Sequence, residues 1–243
     1  ARPVASTAGA PQATDLGGLA VARTAFGTST GFAITASGEI ASWGAVAGAE
    51  GSVSGRETSM SPNHEAIPIG LGPATSFSVT GTTSYRPPGI PLQPLQGIGH
   101  ACAVVNGEVF CWGYSRMGAL GIGLEMSSIV PRRAIVQSET AWAQQVAAAG
   151  ELTCIRMTDG TVQCAGHNAF GALGRDPSIG FSTEFEPTDG IGGHVVAVAA
   201  AAQSVCALLK DGRVACWGSN EKGELGQGSR DHDPHPSPVL VRF

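Results

Sequence analysis

The sequence predicts an all-β fold assembled from about four copies of one repeat of ~52 residues. Three observations predict it: three segments of the chain superimpose on one another, each contains two alternating strands around a Gly-containing turn, and the composition favours strands and turns. The 243 residues include 35 Gly and 15 Pro, and 42% are hydrophobic, so the chain can bury its own core.

The repeat is defined by cysteines and glycines. The three clear copies begin at Cys102, Cys154 and Cys206, and their second cysteines are Cys111, Cys164 and Cys216. A weaker copy at residues 31–44 precedes them, with Phe32 and Ser42 where the cysteines would be. The longer step from this copy to the next predicts an insertion within residues 48–94.

The turn chemistry of each hairpin explains the spacing of its cysteines. Asn106-Gly107 suits a two-residue type I′ turn, which places Cys102 opposite Cys111. In the other two copies the spacing is one residue longer, and the turns at 158–160 and 210–212 suit three-residue loops that end on a left-handed glycine. We therefore expect Cys154 to face Cys164 and Cys206 to face Cys216.

Six cysteines in three facing pairs indicate disulfides, which persist in extracellular or periplasmic space and are rare in reducing cytosol. Reduced core thiols and a metal site are the alternatives, and a metal is disfavoured because the chain has no C-x2-C element. Each bridge would close a short loop, so its stabilisation should fall at the low end of roughly 2–4 kcal/mol. The predicted location is extracellular, at the cell surface or periplasmic.

A Gly-x4-Gly-x-Leu-Gly frame follows each clear hairpin and predicts a tight loop with one buried leucine. The frames are Gly113, Gly118, Leu120, Gly121; Gly166, Gly171, Leu173, Gly174; and Gly218, Gly223, Leu225, Gly226. Without Lys-Ser or Lys-Thr after the second glycine they are not phosphate-binding loops. Short apolar strands at 142–149 and 195–202 precede two of the hairpins and complete a blade of roughly four strands, as in β-propellers.

This order of parts resembles the repeat of the RCC1 (regulator of chromosome condensation) family, most specifically at residues 216–220 with the glycines and leucine that follow. The resemblance covers residues 16–243 and implies an RCC1-like β-propeller; the cysteine-bearing version is similar to that of exported bacterial members. The nucleotide-exchange activity of the founding nuclear proteins is not carried over.

Four copies leave ring closure open: a ring of four or five blades, an incomplete ring, or a ring completed by another chain. Residues 237–243 resemble the start of a further copy. The resemblance suggests that this C-terminal strand pairs with residues 16–24 and removes a free edge.

The charge balance excludes one class of partner. The chain carries 14 Lys and Arg against 19 Asp and Glu, a net charge of −5, and no basic run to neutralise phosphates, so nucleic-acid binding is disfavoured. Its longest apolar run, 195–202, is shorter than the roughly 20 residues of a membrane-spanning helix. Residues 1–15 are predicted to be a flexible N-terminal segment ahead of the repeat domain at 16–243.

The variable positions inside the glycine frames are the candidate recognition residues, because propellers present loops from successive blades on one face. Each is equally compatible with ordinary loop surface. The candidates are Tyr114, Ser115, Arg116, Met117, Asn168, Ala169, Phe170, Asn220, Glu221 and Lys222. Tyr114, Arg116, Met117 and Phe170 suit an interface best. Trp43, Trp112 and Trp217 occupy equivalent positions and are predicted to be core anchors.

The chain shows no recognisable catalytic motif, so we predict no catalytic residues and no cofactor. Asp231, His232, Asp233 and His235 are weak candidates for a metal site, but their irregular spacing favours a polar loop and we predict no metal. His64, His100, His167 and His194 occur singly and receive no role.

The predicted function is therefore a secreted, non-enzymatic protein-binding module that presents the loops of a propeller to a protein partner. One alternative is a structural subunit of an extracellular or cell-surface assembly. Another is a propeller enzyme, a lyase or hydrolase, whose site is not visible in the sequence.

Overall fold

The structure is a computed structural model that describes residues 20–27, 30–44, 53–57, 63–80 and 99–243. It contains four antiparallel sheets of four strands each, and in every sheet the strands are hydrogen-bonded in chain order. Each sheet is one blade. The predicted all-β architecture of four repeats is confirmed.

The blades are numbered along the chain. Blade 1 contains β1 (Val21–Phe26), β2 (Thr30–Thr35), β3 (Ile40–Gly44) and β4 (Asn63–Pro68). Blade 2 contains β5 (Ala74–Val79), β6 (His100–Val105), β7 (Glu108–Gly113) and β8 (Ser128–Arg133). Blade 3 contains β9 (Ala143–Ala149), β10 (Leu152–Met157), β11 (Val162–His167) and β12 (Phe181–Pro187). Blade 4 contains β13 (Val195–Ala200), β14 (Ser204–Leu209), β15 (Val214–Gly218) and β16 (His235–Leu240). A short 3₁₀ helix, Ala169–Gly171, lies between β11 and β12.

The four blades form an incomplete ring, one of the arrangements that the repeat count allowed. The first strands of successive blades contact one another, β1 with β5, β5 with β9 and β9 with β13. Side chains link these inner strands: Gln145 exchanges two hydrogen bonds with the backbone of Val198, at 2.9 and 3.0 Å. The inner strands therefore line the axis of the arc.

The predicted closure by the C-terminal strand is wrong for the described residues. β16 pairs with β15 of its own blade, where Cys216 faces Val239, and β1 pairs with β2. Residues 237–240 are therefore part of the outer strand of blade 4 and do not begin a further copy. Every blade ends on such an outer strand, and all four contain proline, which an edge strand tolerates because its outward N–H groups need no partner.

The hairpins have the predicted registers. Asn106 and Gly107 both adopt positive φ, 51° and 82°, as a type I′ turn requires, and Cys102 lies opposite Cys111. Cys154 lies opposite Cys164, and Cys206 opposite Cys216. All three cysteine pairs are at disulfide-bonding distance, with Cα atoms 4.1 Å apart.

The core lies between the blades, and two of the repeated tryptophans anchor it. Trp112 and Trp217 are fully buried, and their indole N–H groups donate across blade interfaces to the carbonyl oxygens of Val53 and Ala172, at 2.8 and 2.9 Å. Trp43 is half-buried and makes an edge-to-face contact with Phe26. The prediction of core anchors is thus confirmed for Trp112 and Trp217.

Several sequence predictions lie outside the described residues. These are the flexible segment 1–15, residues 16–19 of the proposed closing strand, and most of the predicted insertion within 48–94. The longest interval between consecutive strands separates β5 from β6 and includes residues 81–98, which are also outside the described part. The insertion stays a prediction. No helix of the described residues has the length and apolar character needed to cross a bilayer.

Candidate protein-recognition surface

The glycine frames build a series of loops between the third and fourth strand of blades 2, 3 and 4. These frame loops are residues 114–127, 168–180 and 219–234, and all three leave the same end of their blades. The hairpin turns lie at the opposite end. We call the first end the frame face and the second the turn face.

Each frame loop is held by its buried leucine, and the loops of blades 2 and 3 are also held by the blade that follows. Leu120, Leu173 and Leu225 have no exposed surface. A Cβ added at Gly118 would lie 2.4 Å from the backbone oxygen of Ser182 in blade 3, so the loop backbone of blade 2 packs directly on its neighbour. The loops of blades 2 and 3 are therefore positioned by the blade interfaces.

A polar side chain at one equivalent position ties each frame loop together. Asn168 is buried; its side-chain oxygen accepts from the Leu173 N–H at 3.0 Å, and its amide nitrogen donates to the carbonyl oxygens of Asp176 and Ile179 at 2.8 Å. Ser115 and Asn220 are buried at the same position, and they accept from Leu120 and Leu225 respectively. Asn168, a predicted binding candidate, thus positions the loop and offers little surface.

The other candidates reach the frame face to different degrees. Arg116 and Lys222 are exposed, whereas Tyr114, Met117, Phe170 and Glu221 are half-buried. Phe170 has a φ of 55°, a left-handed conformation that is unusual for a bulky residue and that turns the 3₁₀ segment. The candidates are distributed along the frame face of three successive blades and do not converge on one pocket.

The acidic and histidine-rich segment of the last frame loop forms pairs. His235 contacts Asp231 through Nε2 at 2.7 Å, and His232 contacts Glu221 at 3.3 Å. The hydrogen bond from His235, followed by that from Asn220, lowers the pKa of Asp231. Among the described residues no three metal-ligating side chains gather, Asp233 included. The arrangement orders a polar loop.

His100 has a structural position that sequence reasoning missed. It is buried, and its Nε2 lies 2.6 Å from the hydroxyl of Thr153 in blade 3; burial lowers its pKa to about 4. Thr153 pairs across the hairpin with Ala165, which stands where other copies have tryptophan, and donates to the carbonyl oxygen of Ala119 at 2.8 Å. The sequence feature that could have indicated this contact is Ala165, which replaces the repeated tryptophan in blade 3.

Sequence reasoning also missed two arginines, Arg56 and Arg175, that make equivalent hydrogen bonds in their blades. Arg175 donates to the carbonyl oxygen of Cys164 at 3.2 Å and pairs with Glu186, and Arg56 donates to the carbonyl oxygen of Ser42, the equivalent residue of blade 1, at 3.0 Å. Both arginines follow a left-handed glycine. The shared Gly-Arg pair was the available signal that Arg56 and Arg175 make the same contact.

Comparison with known families agrees with this repeat architecture. Residues 106–155 and 211–243 match the regulator of chromosome condensation (RCC1) repeat, and residues 195–224 match a second description of the same repeat. The human protein named E3 ubiquitin-protein ligase HERC2 is 30% identical over 144 residues, which is 59% of this chain and 3% of HERC2.

The chain is an RCC1-like repeat protein. Its fold is similar to that of yeast RCC1 (Prp20), solved bound to Kap60, with a TM-score of 0.74 and 15% identity, over 96% of this chain and 50% of that one. It is also similar to human WBSCR16, with a TM-score of 0.73 and 18% identity, over 91% of this chain and 52% of that one. This RCC1-like chain therefore spans about half the length of both. The closer likeness to exported bacterial members stays a prediction.

Proposed function

We propose that the chain is a secreted, non-enzymatic protein-recognition module that binds its partner through the frame face. The observation that carries this proposal is the repeated frame loop: three rigidly seated loops present different side chains from successive blades at one end. Yeast RCC1, whose fold is similar, was solved in complex with the protein Kap60, and this agrees with protein binding by the fold.

The cysteine pairs support the proposed location. Each pair sits directly opposite across a hairpin, and the described residues contain no free cysteine. Disulfides of this kind persist in oxidising compartments. Export to the extracellular space, the cell surface or the periplasm follows as part of the proposal.

The experiment that tests the proposal captures a partner from the native extracellular fraction and then measures its affinity for defined variants. Arg116→Ala combined with Phe170→Ala should weaken binding by about 10- to 100-fold, because arginine and aromatic side chains dominate interface energies. The matched control is Arg213→Ala combined with Phe243→Ala, an arginine and a phenylalanine that are exposed away from the frame loops. Equal loss in both pairs, or loss that follows a lowered melting temperature, would contradict a frame-face site.

A second candidate function, a structural subunit, is favoured by the outward sheet face of blade 4. Leu208 is 39% exposed there, whereas Val104, at the equivalent position of blade 2, is fully covered by blade 3. Val196 of the same blade is 40% exposed. Under this alternative a second copy of the chain covers the face, so sedimentation equilibrium should show a dimer or larger species that Leu208→Glu dissociates; a strict monomer would exclude it.

A further inference from the structure

Trp142 is an exposed tryptophan on a firmly held backbone at the turn face. The residue is 58% exposed, although its backbone N–H donates to the Thr158 hydroxyl at 3.0 Å and its carbonyl oxygen accepts from the Thr158 N–H at 2.8 Å. The next residue, Ala143, donates to the carbonyl oxygen of Gly107 in blade 2 at 3.0 Å. Two blades therefore fix the backbone while the indole stays accessible.

The position of Trp142 is not explained by the repeat. It precedes β9 and is not equivalent to Trp43, Trp112 and Trp217, which occupy the third strand of their blades. A Cβ at Gly107 would lie 2.9 Å from the Cβ of Trp142, so the turn of blade 2 leaves just enough space for it. An exposed tryptophan with so defined a position is typical of a binding surface.

Trp142 lines a shallow groove of about 560 Å³ between blades 2 and 3. We call it the Trp142 groove. Hydrogen-bonding side chains surround it: Thr75, Asn106, Gln144, Arg156 and Thr158. All of these except the half-buried Arg156 are exposed, so the groove offers one flat aromatic surface within a polar border.

Arg156 gives the groove a preference for negative charge. One terminal nitrogen of its guanidinium donates to the side-chain oxygen of Gln144. Its Nε is buried, and among the described residues it has no hydrogen-bond partner. Because the Nε has no accessible surface, a ligand would reach this half-buried guanidinium through its terminal nitrogens, and a carboxylate is the group that pairs best with them.

Trp142 also lines a smaller pocket of about 80 Å³, which shares Gly107 and Ala143 with the groove. Its lining is apolar at Val109, Ala134, Val136, Ala141 and Met157, and it also includes Ser138 and the ion pair of Glu108 with Arg133, which leaves the carboxylate of Glu108 neutralised. The apolar residues belong to the hydrophobic core between blades 2 and 3 or pack against it. The pocket therefore suits one aliphatic side chain.

We propose that the Trp142 groove binds an extended acidic peptide, whose aliphatic side chain enters the small pocket while a carboxylate pairs with Arg156. The peptide would cross the indole between these two points. A peptide fits better than an oligosaccharide, because a sugar has no branched aliphatic group for the pocket. The site is on the turn face, so it is independent of the frame-face surface proposed above.

The test uses the full chain and blocked synthetic octapeptides that contain one Leu and one Glu at varied spacing, with Gln in place of Glu as the matched set. Binding is measured by titration calorimetry. We expect at least one Leu/Glu peptide to bind, Trp142→Ala to weaken it about tenfold or more, and Arg156→Gln to abolish the preference for Glu over Gln.

The controls are Phe26→Ala, which removes another exposed aromatic ring, and Arg213→Gln, which removes another surface arginine. Both should bind like the parent chain, and melting temperatures verify that all variants fold. The proposal is overturned if no peptide binds, if Trp142→Ala binds unchanged, or if cellohexaose binds where the peptides do not.

Discussion

At the scale of single residues, His100 shows how one substitution in a repeat is compensated by its neighbours. Where the third copy replaces tryptophan by Ala165, the interface between blades 2 and 3 instead uses His100, Thr153 and the carbonyl oxygen of Ala119. The indole-to-carbonyl hydrogen bond of the other interfaces becomes a hydroxyl-to-carbonyl hydrogen bond. The imidazole is consequently buried in its neutral form.

This burial predicts a pH-dependent stability. Above pH 6.5 the imidazole of His100 is neutral in both the folded and the unfolded chain, so it adds no pH dependence. Between pH 6.5 and its folded pKa of about 4, only the unfolded chain takes up the proton, and the free energy of unfolding falls as the pH falls. The full loss is about 3 kcal/mol.

The measurement is urea unfolding of the parent chain and of His100→Gln at pH 7 and pH 4.5. Glutamine can still hydrogen-bond to Thr153 but does not titrate in this range. Carboxylates affect both chains alike, so the difference isolates the histidine. The parent should lose more stability than the variant on acidification, and parallel losses would show that His100 does not carry the effect.

At the scale of elements, the hairpins were predictable and the outer strands were not. A turn such as Asn106-Gly107 is specified by its own two residues, and the register follows by counting outwards. The outer strand β16 was expected from the resemblance, but with the wrong partner: it contains Pro236 and Pro238, and β15 is its only strand partner among the described residues, so its own sequence does not indicate what it pairs with. The residues that brace the frame loops were equally hidden, because the roles of Asn168 and Arg175 depend on contacts made within the folded loop and blade.

The three cysteine pairs should differ in their accessibility to reductant. Cys102, Cys111, Cys154 and Cys164 have no exposed surface, because the next blade covers them. Cys206 is half-buried on the outward face of blade 4. We therefore expect a hydrophilic phosphine to reduce Cys206–Cys216 first in the native chain, since its phosphorus must reach a sulfur atom to attack the bond.

Timed alkylation followed by peptide mass spectrometry measures this order. The control is the same reaction in denaturant, where the three pairs should react at similar rates. Cross-linked peptides joining different blades in the unreduced sample would contradict the pairing itself.

At the scale of the whole molecule, the extensive contacts between blades in the described part of the chain join neighbours in sequence, so stability should be local. Leu209 is buried in the core between blades 3 and 4, and Ile34 is buried in the core between blades 1 and 2. Truncating either to alanine should cost about 2–5 kcal/mol at its own interface.

Hydrogen exchange followed by mass spectrometry shows which strands lose protection in each variant. Leu209→Ala should accelerate exchange in β13 to β15 and in β10 and β11 by roughly 30-fold or more, because about 2 kcal/mol corresponds to that factor in the opening equilibrium. Strands β2 and β3 should change little, and Ile34→Ala should produce the opposite pattern. Equal acceleration across all blades in both variants would instead mean that the arc opens as one cooperative unit, because a change at either end would then lower the same global free energy of unfolding.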